Sequence, residues 1–246
     1  MIHRKENQYR KVAFKRFDIE FNEIKATSLG VKISRRPDIP SPEKKISKIE
    51  ISGRDGDLID FNMNYKDIEI LVEMNFVKSP MLWNEQYRKI KSWLLQGTGR
   101  LKFSDDVNVF YKVKSTRITD VSREVREAGK LNAIFLCDPY TYILSGLAEY
   151  RVEDVQQNNY FECHPIYKVT GEGMCTVTVN GKSMTANVGQ NLTIDTELMM
   201  AYRKDGALNN TAVTGKYEDL YLNQGENAIS ISPGFDLKII PNWRCL

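Results

Sequence analysis

Between Ile49 and Ile59, apolar and polar residues alternate on both sides of the run Gly53-Arg54-Asp55-Gly56. Alternation with a period of two reads as strand. Glycines bounding an Arg-Asp pair let a tight turn take positive φ without steric cost. The segment therefore predicts a hairpin whose tip lifts Arg54 and Asp55 into the open. Upstream, Val31-Lys32-Ile33 reads as a strand running into Arg36-Pro37-Asp38-Ile39-Pro40-Ser41-Pro42, a proline-rich loop that cannot continue a central strand. Downstream, Asp67–Val77 gives a long, imperfectly alternating strand.

The period then changes. Trp83, Tyr87, Ile90 and Leu94 recur at helical spacing, Trp93 widens the stripe, Ser79 and Pro80 suit a helix start, and Gly97 suits its end. One amphipathic helix near residues 80–96, lying on a sheet, is the expectation. Strands resume with Leu101-Lys102-Phe103 and, after the Ser104-Asp105-Asp106 turn, Val109–Lys114. Leu131–Cys137 is a further strand, stopped by Asp138-Pro139.

Near residues 140–150 the texture shifts to short strands with turn signals every ten or so residues, the pattern of a β-sandwich. Asn180-Gly181 between Thr176–Val179 and Lys182–Met184 is a strong hairpin signal. Asp236–Leu246 reads as one closing strand. The chain is thus expected to be mainly β, with units at 1–143 and 144–246 packed together rather than tethered.

Composition narrows the function. The 246 residues are 41% hydrophobic and 27% charged with a net charge of only +3, so no strong field favours nucleic acid or an anionic membrane. No apolar run approaches the ~20 residues that span a bilayer. The charged start lacks the apolar core of a secretory signal, which predicts folding in a cytoplasm. Cys137, Cys163, Cys175 and Cys245 are scattered and read as small hydrophobes in a reducing compartment. Cys163 and His164 are adjacent, and adjacent strand residues face opposite ways, which argues against a shared zinc ion.

Candidate chemistry is sparse. The chain has no P-loop, G-x-G-x-x-G, H-E-x-x-H or G-x-S-x-G motif. His3 and His164 are its only histidines, too few for a multi-histidine metal site. Asp105-Asp106 fits a turn role better than glycosidic acid–base work, and Asp55 with Asp57 gives only slight support for calcium. The basic start (Arg4, Lys5, Arg10, Lys11, Lys15, Arg16) lacks interleaved aromatics and reads, around Val12-Ala13-Phe14, as a strand with a solvated face. No catalytic, metal or cofactor site is expected.

A set of individually weak motifs is more informative in its order. It comprises Leu29-Gly30-Val31, the Ser52–Gly56 turn, the helix end Trp93-Leu94, Leu101–Asp106 and Phe135-Leu136-Cys137-Asp138-Pro139-Tyr140. Gly171-Glu172-Gly173, Asn180-Gly181, Ile194-Asp195-Thr196-Glu197, Leu222–Asn227 and Pro241-Asn242-Trp243-Arg244 follow. Together these resemble the distal tail (Dit) protein family of long non-contractile-tailed (siphovirus) bacteriophages, over nearly the whole chain. Ser52 departs from the proline the family often has there, which implies a less rigid hairpin.

The resemblance implies a non-enzymatic virion protein of the tail tip, assembled in the bacterial cytoplasm. A β-rich N-terminal domain with one helix would form a homohexameric ring, with a galectin-like β-sandwich on its outside. The implied partners are the major tail tube protein, the tape measure protein and a baseplate or tail-fibre protein. DNA would pass through the lumen without specific binding, and no membrane is involved. A ring needs two different patches per subunit. The candidates are the tip Gly53, Arg54, Asp55 and Gly56 and the loop beginning at Arg35 and Arg36. A carbohydrate-binding module built on the C-terminal half, where Trp243 reads as core among several tyrosines, is the alternative. A cell-wall hydrolase has the least support.

Overall fold

The computed structural model describes residues 16–53, 55–56, 58–123 and 125–246. The expected strand around Val12-Ala13-Phe14, with His3, Arg4, Lys5, Arg10, Lys11 and Lys15, lies outside them, as do Arg54, Asp57 and Glu124.

In the N-terminal half, β1 (Ile19–Phe21), β2 (Ile24–Lys25) and β3 (Val31–Ile33) precede a hairpin of β4 (Lys44–Ile49) and β5 (Leu58–Tyr65). Then come β6 (Ile68–Val77), α1 (Trp83–Leu94), β7 (Gly99–Phe103), β8 (Asp106–Ser122) and β9 (Ala128–Ile143). The main sheet has the order β2-β1-β7-β8-β9-β6-β3, so its edges are β2 and β3. Only Ala26–Gly30 join those edges, a stretch that reaches roughly 20 Å at most, so the sheet must curl until they approach.

Alternation decides which face of the curl is core. Ile68, Ile70, Val72, Met74 and Phe76 of β6 are buried and oppose Cys137, Phe135, Ala133, Leu131 and Gly129 of β9. Helix α1 closes the curl with Trp83, Ile90, Trp93 and Leu94. Trp93 Nε1 donates to the Phe21 carbonyl at 3.0 Å, and the two rings meet edge-on at 6.5 Å. Gly129 leaves room for this packing, since a Cβ there would lie 2.6 Å from the Phe76 ring and 2.9 Å from Trp83.

The helix is shorter than its stripe suggests. Leu82 N donates to Ser79 O, so Ser79 and Pro80 form a turn ahead of Trp83, and no side chain caps the helix. Two strands are longer. β8 runs on through Ser115–Ser122, where polar residues hide the pattern. β9 passes straight through Asp138-Pro139. By then β6 has ended at the Ile68–Cys137 pair, and the β8 register is irregular between Val113–Cys137 and Tyr111–Thr141. The N–H that Pro139 lacks would have had no ladder partner on the β6 side, which removes the usual objection to a mid-strand proline.

The C-terminal half is built on a long hairpin of strands that follow β10 (Tyr150–Arg151) and β11 (Gln157–Asn158), namely β12 (Ile166–Val179) and β13 (Lys182–Asp195). Asn180 and Gly181 turn it, both with positive φ (51° and 79°), as a tight hairpin requires. Then come β14 (Met200–Tyr202), β15 (Val213–Thr214), β16 (Gly225–Glu226), β17 (Ile229–Ile231), β18 (Asp236–Ile240) and β19 (Arg244–Cys245). The start of β12 pairs with β18 and its end with β17. A second core forms here around Tyr167, Val177, Met184, Ile194, Leu220 and Ile239.

The closing segment is not one strand. It breaks at Pro241-Asn242-Trp243, with Asn242 at φ 52°, and β19 then leaves its own sheet to pair with Tyr142 and Thr141 of β9.

Candidate subunit interface

The hairpin of β4 and β5 is a sheet of its own, and neither strand pairs with any other described strand. Its tip has the expected geometry. Gly53 and Gly56 take φ of 82° and 79°, and nothing else approaches within 4 Å of where a Cβ would stand on either. Asp55 is exposed, while Arg54 lies outside the described residues. The hairpin is thus an arm whose tip stands clear of the other described residues.

At the base the arm is fixed. Lys66 N donates to Glu43 O at 2.7 Å, and the Lys66 ammonium meets the Glu43 carboxylate at 3.0 Å. The Tyr65 ring meets Tyr140 and Phe161 edge-on at 6.2 and 6.4 Å. Further out, Ile46, Ile49 and Ile51 stay 50, 47 and 43% exposed. Fully burying an isoleucine stabilises by roughly 1.5–3 kcal/mol, so covering three half-exposed ones would add about 3 kcal/mol. That gain is open to a partner.

The proline-rich loop is arranged differently. Arg35 Nε meets Glu73 of β6 at 3.0 Å, and its guanidinium lies 3.6 Å from Asp38. Arg36 Nε meets Asp105, in the turn between β7 and β8, at 2.5 Å. Pro37 is buried and Ile39 packs on the N-terminal core. The two arginines strap the loop to the sheet instead of extending it. Their side chains remain 59 and 51% exposed, so an outer face of each is still accessible. The structure does not bring the loop and the tip together through any described contact.

Sequence reasoning missed the seam between the halves. Arg244, 5% exposed, donates from Nε to Glu162 O at 2.5 Å and lies 2.9 Å from His164 Nε2. Its guanidinium carbon sits 4.0 Å from the Tyr140 ring centroid. Backbone bonds run alongside, from Ile143 N to Trp243 O and from Phe161 N to Arg244 O, both at 2.9 Å. Asn242 N donates to Gly146 O, and a Cβ on Gly146 would stand 2.4 Å from Trp243 N. Lys112 of β8 completes the seam by pairing with Glu197 at 2.7 Å over the Tyr142 ring. Arginine two residues from a chain end carries no local signal of burial. Only the tertiary path of β19 reveals it.

Burial shifts several titratable groups at and beside the seam. Burial, with the charges of Arg244 and Lys112, pushes His164 down to about 3, and its ring stacks on Tyr221 at 3.9 Å. Burial pushes the Cys137 and Cys163 thiols up to about 12 and 11. Cys163 turns into the C-terminal core, while His164 faces Arg244. Among the described residues, no three His, Cys, Asp or Glu side chains are placed to share a metal, and no helix is long and apolar enough to cross a membrane.

No protein-family model matches the chain, and no curated protein matches it. Among solved structures it is similar to the Dit protein (gp 19.1) of phage SPP1, described as a paradigm of hub adsorption apparatus in phages that infect Gram-positive bacteria. The likeness has a TM-score of 0.63 at 14% identity and covers 94% of this chain and 100% of that one. With its mainly β arrangement, curled sheet and one helix, this chain has a Dit-like fold over nearly its whole length.

Proposed function

We propose that this chain is the structural hub of a phage tail tip. Six copies form a ring through the N-terminal unit (1–143), and the C-terminal unit (144–246), galectin-like in this reading, decorates its outside. The ring joins the major tail tube protein to a baseplate or tail-fibre protein, faces the tape measure protein, and leaves a channel for DNA. The protein performs no reaction and works within the virion.

The observation that carries this reading is the Dit-like fold spanning 94% of the chain. The arm adds support of its own kind. A heterologous ring requires an element that reaches a different patch on the next copy, and the β4–β5 hairpin carries isoleucines that the described residues leave about half exposed. Gly53, Arg54, Asp55 and Gly56 make the contact at its tip, and the free faces of Arg35 and Arg36 contribute to the receiving side. A net charge of +3 suits a lumen that passes DNA without holding it.

Multi-angle light scattering of the purified protein tests the reading. A ring has a mass near 170 kDa, six times the 28.4 kDa chain. A monomer at every concentration, including in mixtures with its tail neighbours, overturns it.

A further inference from the structure

Aspartate or asparagine precedes glycine at Asp55-Gly56, Asn180-Gly181 and Asp205-Gly206. Such pairs are chemically labile, because without a Cβ on the second residue its backbone nitrogen can approach the side-chain carbonyl carbon of the first. In an unstructured chain Asn180-Gly181 would react first, since at neutral pH a carboxamide loses ammonia more readily than an ionised carboxyl loses water. The fold reverses that order.

Asn180 is held at both ends of its carboxamide. Its Nδ2 donates to Asn227 Oδ1 at 2.8 Å, and its Oδ1 accepts from Ala228 N at 2.9 Å. Asn227 is buried and donates in turn to Asn223 O and Gly225 O at 2.9 and 3.1 Å. At Asp205 both reacting groups are engaged. Its Oδ1 accepts from Ala207 N at 3.0 Å, and Gly206 N donates to Arg203 O at 2.8 Å. Each hydrogen bond that must open slows cyclisation by about two- to tenfold, so two slow either site by roughly tenfold or more. Asp55-Gly56 has no such restraint. Asp55 is exposed, and neither its carboxylate nor the Gly56 N–H has a partner among the described residues. Nothing else stands within 4 Å of where a Cβ on Gly56 would be.

We propose that Asp55-Gly56 is a site of spontaneous backbone isomerisation in the free subunit. Gly56 N bonds to Asp55 Cγ and a Cγ–O bond breaks. The oxygen leaves as water, taking the amide proton and one proton from solvent. The five-membered succinimide then takes up one water at either carbonyl. Addition at Cγ restores aspartate. Addition at the main-chain carbonyl carbon of Asp55 gives isoaspartate, whose backbone runs through Cβ and Cγ and is one methylene longer. The tip of the arm is thereby altered in length and shape. In the ring reading assembly covers this tip, so the change falls on subunits not yet assembled; that clause, unlike the chemistry, rests on the ring reading.

The full chain is incubated warm at near-neutral pH, both folded and in urea, and isoaspartate is located by peptide mass spectrometry with electron-transfer fragmentation. Size-exclusion separates monomer from assembled protein, and the Ile46→Ser/Ile49→Ser chain supplies monomer where the wild type is wholly assembled. In folded monomer, isoaspartate at 55 is expected to exceed that at 180 or 205 by about tenfold. In urea the order inverts, with position 180 first. Asp55→Glu, which would need a six-membered ring, removes the signal at 55. A folded monomer that stays unmodified at 55, or reacts as fast at 180 or 205, overturns the proposal. Assembled protein is expected to react more slowly at 55; an equal rate there refutes the tip contact and leaves the monomer chemistry standing.

Discussion

Replacing Ile46 and Ile49 together by serine isolates the arm as an assembly element. Both side chains are about half exposed, at 50 and 47%, so a partner covering them removes the remaining half of each from water. Full burial of an isoleucine is worth roughly 1.5–3 kcal/mol, so half is about 1 kcal/mol and the pair about 2 kcal/mol for each contact. That is a loss of roughly 30-fold in each contact constant, and a closed ring makes the same contact at every subunit. The variant should therefore dissociate across a concentration series in which the wild type stays assembled, as read by light scattering. The subunit itself should change little, because exposed positions away from special features shift stability by about 0.5 kcal/mol or less. A thermal scan of dissociated protein checks this. An Ile46→Ser/Ile49→Ser protein that assembles over the same concentrations as wild type refutes the assembly role of the arm.

Three further perturbations probe the body. Arg244→Ala removes a buried cation from Glu162 O, His164 and Tyr140 and should cost about 2–4 kcal/mol in chemical denaturation, with only partial rescue by lysine; an unchanged midpoint denies the seam its role. His164, held near 3 in the folded state against about 6.5 unfolded, favours the folded state fully above pH 6.5. As pH falls from 6.5 toward 3 the unfolded chain takes the proton first, and stability drops by at most about 1.4 kcal/mol per pH unit from this group. His164→Gln should flatten that slope, and a slope identical to wild type contradicts the burial that depresses it. Gly129→Ala forces a Cβ to 2.6 Å from Phe76 and should destabilise by about 1–3 kcal/mol, measured as a lowered denaturation midpoint; a neutral result means α1 is free to shift away.

What the sequence made legible was local. The stripe Trp83–Leu94, the Asn180-Gly181 turn and the glycine-bounded tip each follow from backbone or side-chain constraints within a few residues. The hairpin was expected only from Ile49 onward, and the rest of its first strand was not read because Lys44-Lys45-Ile46-Ser47-Lys48 has little apolar content and β4 pairs only with β5. Pro139 was read as a stop because whether its missing N–H matters depends on where β6 ends, a tertiary fact. Arg36 looked free in the sequence and is held by Asp105, 69 residues away. The cross-strand row of Lys238, Lys168, Thr193 and Tyr202 was invisible for the same reason, since it exists only once register is fixed.

Electron microscopy of the protein, alone and mixed with its tail neighbours, decides the ring reading. Six-fold class averages with an open centre, and with the β4–β5 arm of each copy seated on the next, are the expected result. Class averages showing only single copies, or a closed particle with no central opening, would contradict it.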